Sequence, residues 1–261
     1  MEKTPASPEY RHWYRPQMHM ILYGGISLWH CLAAPVLAAV LAESVLFGVE
    51  DIPVQALWLS YAASTVLVGC LVHPAPTGRH DVPPGSLLFR GVVTAGSFLF
   101  LVTIRSGVPA DPLLLLVLAL GVCILSLFLG SVTLCLSCIL DNRERARRTV
   151  FAATMLAAAA PLWLAPLAEQ VPAMTNAVVD ISPLTYLAVI SDYDFLRSAW
   201  FYRHTPLGGL RYDYPAPLLF TGTYLAMTTI LLLAHRILLK HKSGHRAGNH
   251  KSLLSLEENT Q

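Results

Sequence analysis

Asp141 to Arg148 reads DNRERARR, the only dense cluster of charge between two long apolar runs. Ahead of it, Leu113 to Leu140 gives 28 residues with no charged side chain; behind it, Thr149 to Ala168 is again uncharged. Each run reaches the roughly 20 apolar residues that cross a bilayer. Four arginines in a short connection between two such runs read as cytoplasmic, because the Lys/Arg bias of short loops sets membrane orientation. The sidedness of the remaining segments then follows by alternation.

Composition agrees with a lipid environment. The chain is 54% hydrophobic and 13% charged, with a mean hydropathy of +0.53, whereas soluble domains carry roughly 25% charged residues. The net charge of +2 is too small to argue for nucleic acid as a partner, so the distribution of charge matters more than its sum. The five cysteines all fall inside apolar runs, which speaks against a disulfide framework. Cys135-x-x-Cys138 has the spacing of a redox or metal pair, but no His or carboxylate stands beside it in the sequence, and the two are read as small packing residues.

The expected fold is an all-α integral membrane protein with six transmembrane helices and both termini inside. Residues 1–20 are a cytoplasmic lead-in, 21–235 the six-helix domain, and 236–261 a basic cytoplasmic tail. The spans are placed at 21–46, 52–72, 86–104, 113–140, 149–168 and 217–235. Arg90 lies near enough to an inner boundary to snorkel. Fourteen of the 18 Lys and Arg residues fall on the predicted inside. Pro161 and Pro166 are expected to loosen the backbone ladder of the fifth span, whose many alanines permit close helix approach. Residues 169–215 form the longest connection, expected outside and structured. Leu184, Leu187 and Ile190 recur there at helical spacing after Pro183, and Trp200, Phe201 and Tyr202 are expected at the membrane interface.

No phosphate-binding loop G-x-x-x-x-G-K-[ST], no H-E-x-x-H and no G-x-S-x-G occurs. Any ATP-driven work must therefore come from another chain through the cytoplasmic surface. Two charged connections offer that surface: Arg79 and Asp81 in the first, and Asp141, Arg143, Glu144, Arg145, Arg147 and Arg148 in the second. His30 stands alone within the first span, where an ionisable residue is by default a functional candidate, set against a neutral imidazole bonded to a neighbouring helix. Glu43 and Glu169 sit near outer ends of spans, where they either line a translocation path with His30 or simply reach water. The other histidines scatter over loops and both ends without ligand spacing.

Two stretches resemble the membrane subunits of type-2 ABC transporters, the ABC-2 permease family. Leu129 to Met155 is similar to the family's fourth span, charged turn and Ala-rich fifth span. Ser182-Pro183-Leu184-Thr185-Tyr186-Leu187 is similar to the family's Asn-Pro-Leu-Thr-Tyr-Leu motif, with Ser182 in place of the usual Asn and Arg197 standing for the arginine that follows it in members. The resemblance covers roughly residues 113–235 and implies a dimer of six-span subunits in the plasma (bacterial inner) membrane. Each subunit would dock through its cytoplasmic loops on an ATP-binding-cassette ATPase, which holds the ATP. The chain itself would carry no cofactor and no catalytic or metal site, and would export a lipid, glycan, drug-like or other solute. A membrane anchor or assembly subunit, and an integral-membrane enzyme using His30 or Glu43, are the readings from other classes.

Overall fold

The computed structural model describes residues 36–43, 53–72, 84–105 and 111–258, and every regular element among them is helical. Helix α1 covers 36–43, α2 Val54–Val72, α3 Pro84–Arg105, α4 Pro112–Leu140 and α5 Arg143–Ala158. The short α6 Ala160–Trp163, α7 Ala165–Gln170, α8 Thr175–Asp180, α9 Pro183–Ile190 and α10 Ala199–His204 precede the long α11 Pro217–Glu258. Among the described residues three segments, Ser86–Ile104, Pro112–Leu140 and Pro217–His241, are long and apolar enough to cross a membrane, and Val54–Cys70 is a shorter apolar helix. The described elements are all helical, and these helices suit an integral membrane protein.

Helix α4 is the hub, touching α2, α3, α5, α9 and α11. Asp111 caps its start by accepting from Leu113 N at 2.9 Å, and Pro112 follows where no backbone N–H is required. Its 29 residues rise about 43 Å, more than a hydrocarbon core of about 30 Å. It ends at Asp141, whose φ of 51° is left-handed, a conformation that Asp adopts more readily than most residues and that commonly closes a helix. Leu118, Val122 and Leu125 pack inward with Trp58 and Tyr61 of α2, Phe98 and Val102 of α3, and Tyr186 of α9. Leu113, Leu116 and Leu120 of α4 and Leu218, Leu219 and Ile230 of α11 are exposed. A helix apolar on its outer face as well as its inner one is built for lipid rather than water.

Several hydroxyls inside the apolar helices are satisfied by their own helix, as suits a bilayer. Thr65 Oγ1 donates to Tyr61 O at 2.6 Å, Thr94 Oγ1 to Arg90 O at 2.8 Å and Thr154 Oγ1 to Val150 O at 2.8 Å.

Three sequence expectations change. The charged stretch is not a loop: only Asp141 and Asn142 lie between helices, and Arg143 opens α5 with Asn142 as its cap, its side chain accepting from Arg145 N at 3.0 Å. The span expected over 149–168 is not one helix, since the ladder stops at Ala158 and restarts as α6 and α7. Pro161 and Pro166 lack the N–H groups that would carry it on, and each sits in the first turn of the new helix. The basic tail does not separate from the last span: α11 runs 42 residues to Glu258, with no proline after Pro217 to end it.

The 169–215 connection is helical in short pieces, and they do different work. Helix α9 inserts among α2, α4, α5 and α11, with Tyr186, Leu187 and Ala188 fully buried or nearly so. The rest forms a second small core in which Ala165, Ala168, Val179, Leu196 and Leu207 are inaccessible. Phe201 belongs to that core, its ring 5.3 Å from Phe195, so it packs against protein rather than facing outward. Tyr202 is exposed, and the Trp200 side chain lies outside the described residues.

Candidate functional site

The 3.6-residue period of α5 sorts its charges. Residues 143 and 147, four apart, share one face. Arg143 and Arg147 line a cleft between α2, α3, α4 and α5, and Arg90 of α3 lines it too. Arg90, expected near an inner boundary of its span, lines the same cavity as the two arginines of α5. The cavity measures about 70 Å³, several times the roughly 10–15 Å³ that one water needs. No acidic side chain is among the described residues that line it.

Residues 144, 145 and 148 fall on other faces of α5 and are exposed. Glu144 bonds Arg147 Nη2 at 2.7 Å and Arg148 Nε at 2.9 Å, and these guanidinium hydrogen bonds, Arg147 first, hold its carboxyl below the usual carboxylate range. A surface pair of this kind contributes little to stability, but it orients both arginines. Arg145 remains the outward-facing cation of the turn.

At its far end α5 meets α9. Where an unbroken helix would bring Leu162 N to Ala158 O, Leu162 N bonds Ala159 O at 2.8 Å. Ser182 Oγ donates to Ala158 O instead, at 3.2 Å. Ser182 is fully buried and precedes Pro183 at the start of α9, without capping it through its own side chain. The Ser-Pro-Leu-Thr-Tyr segment therefore begins on the last carbonyl of α5. Four residues on, Tyr186 reaches α11, its hydroxyl 3.5 Å from Thr221 Oγ1 and its ring 4.6 Å from that of Tyr224. Thr185 and Pro183 are buried, while Leu184 is half-buried.

A third polar group fastens the connection. Asp194 Oδ1 accepts from Tyr214 Oη at 2.6 Å and Tyr212 Oη at 3.0 Å, and Arg197 Nε lies 3.3 Å from Oδ2. The Arg197 guanidinium also stands 5.5 Å over the Tyr212 ring. Burial, then donation to Asp194, pushes the Tyr212 phenol up to about 12 and the Tyr214 phenol upward as well.

Of the other expected site residues, Glu43 and Glu169 are described. His30, Arg79 and Asp81 lie outside the described residues. Glu43 accepts from Tyr61 Oη at 3.3 Å, and Glu169 is exposed on α7. The cysteine pair of α4 faces α11, where Cys135 Sγ donates to Leu231 O at 3.0 Å and Cys138 Sγ stands 3.3 Å from His235 Nδ1. His235, one of the scattered histidines in the sequence, stands at the end of an apolar run, which is the signal of its place against α4. Among the described residues no group of three or more His, Cys, Asp or Glu is placed to hold a metal ion. The chain matches no protein-family model, no curated protein and no solved structure.

Proposed function

We propose that the chain is the membrane-spanning permease subunit of an ABC-type exporter, driven by a separate ATPase chain and paired with a second permease subunit in the plasma membrane. In this reading the six-span, both-ends-inside topology holds, with the broken α5–α6–α7 run serving as the fifth span. The observation that carries the reading is the unbroken run of α5 from the charged turn at Arg143 to the Ser182 junction. Sixteen residues make a strut of about 24 Å. A push on the exposed charges at one end is delivered at the other to α9, the buried helix that meets α2, α4 and α11. A docked ATPase that binds differently before and after hydrolysis would bias two arrangements of these helices, which is all that coupling requires.

The sequence suggests testing a docked partner by exchanging Glu144 and Arg145, but Glu144 already holds Arg147 and Arg148, so that exchange would disturb the turn itself. Arg145→Glu alters the outward charge alone. The full chain, isolated from its native membrane in mild detergent, is expected to carry an ATP-hydrolysing partner, and Arg145→Glu is expected to lower the co-purified ATPase activity several-fold while the chain still inserts. A partner with no nucleotide-binding sequence would replace this reading with an anchor or assembly role.

A further inference from the structure

We infer that the cleft lined by Arg90, Arg143 and Arg147 binds a phosphate-bearing anion. The inference does not depend on the transport reading. Arg90, Arg143 and Arg147 line one cavity, and the Glu144 carboxylate engages Arg147 through Nη2. The Nε–H of the same Arg147 is buried without a hydrogen-bond partner. An unmade hydrogen bond on a buried donor is costly, and a ligand oxygen would supply it.

The lining of the cleft selects the class of ligand. Along α4 it runs from Ser137 to Ser126, with hydroxyl-bearing and apolar side chains mixed between them, Thr133 and Leu129 among them. Basic pockets between membrane helices suit phosphate-bearing headgroups. Arginine forks match phosphate oxygens two at a time. The shared chemistry is a phosphate ester, from a membrane phospholipid or from a soluble compound.

The test uses the full chain in a nonionic detergent, titrated separately with inorganic phosphate and with a short-chain phosphatidylglycerol, binding being read by native mass spectrometry. At least one probe is expected to bind saturably. Saturation by phosphatidylglycerol alone identifies a lipid headgroup, whereas saturation by phosphate that also displaces the lipid identifies a soluble ester. Arg143→Gln and Arg147→Gln are each expected to weaken binding about tenfold or more, the loss associated with a hydrogen bond to a charged group. Arg145→Gln removes the same charge from the same turn but outside the cleft, and is expected to leave binding unchanged. If the glutamine variants do not fold, Arg143→Lys and Arg147→Lys keep the charge but lose the fork, and weaker binding than wild type is still expected. No saturable binding of either probe, or equal losses for Arg145→Gln and the cleft variants, would overturn the assignment.

Discussion

Ser182 shows what one side chain does when a helix ends at a buried junction. The proline-broken turn leaves Ala158 O without its ladder partner, and the fully buried Ser182 serves it instead. Ser182→Ala is expected to cost about 1–2 kcal/mol and to speed hydrogen exchange of the α9 amides; unchanged exchange would mean the bond does not hold α9. The two tyrosines on Asp194 make a pH prediction. Their folded-state pKa values lie above the ordinary tyrosine value of about 10, and Tyr212 reaches about 12. The Tyr212 contribution to stability is therefore fully present below about pH 10 and is lost as pH rises through about 12, while that of Tyr214 persists to higher pH. Tyrosinate absorbance is expected to rise late and together with loosening of residues 194–214, and Tyr214→Phe should shift that loosening to lower pH. Neither group was legible as a site in the sequence. Ser182 was visible only as a departure from a motif, and Asp194 meets Tyr212 and Tyr214 across a stretch with no periodicity to bring them together.

Helices were more legible than their joints. The long apolar runs that become α2, α3, α4 and α11 stand out in the sequence because burial and lipid exposure both select apolar residues. Pro161 and Pro166 signalled a weakened fifth span, but whether proline kinks a helix or ends it depends on what replaces the missing bonds, here Ser182 and the new turns. The course of α9 into the bundle was less visible, since an apolar octapeptide suits a surface or a core equally. Arg90, Arg143 and Arg147 share a cleft because α3 and α4 pack closely, and that packing is itself testable. A Cβ at Gly91 would lie 3.0 Å from Cys123 Sγ and 3.2 Å from Cys123 O, whereas at Gly96 it would meet nothing within 4 Å. Gly91→Val is expected to destabilise the protein by about 1–3 kcal/mol through overpacking. Gly96→Ala is expected to be neutral or to stabilise by up to about 1 kcal/mol through helix propensity. Thermal unfolding in detergent compares the two, and equal effects would contradict the close α3–α4 contact.

Across the whole molecule, a charged helical turn and a buried helix lie at opposite ends of one strut, and the proposed function needs the first to be cytoplasmic and docked. Six spans place position 145 inside and position 204 outside. A photoreactive amino acid at position 145, activated in intact cells making the full chain, tests orientation and partner together. The expected result is a covalent adduct with a polypeptide that carries an ATP-binding-cassette sequence, formed in good yield from position 145 and absent when the probe sits at position 204. Adducts at position 145 with lipid alone, or with proteins of the outer compartment, would contradict it.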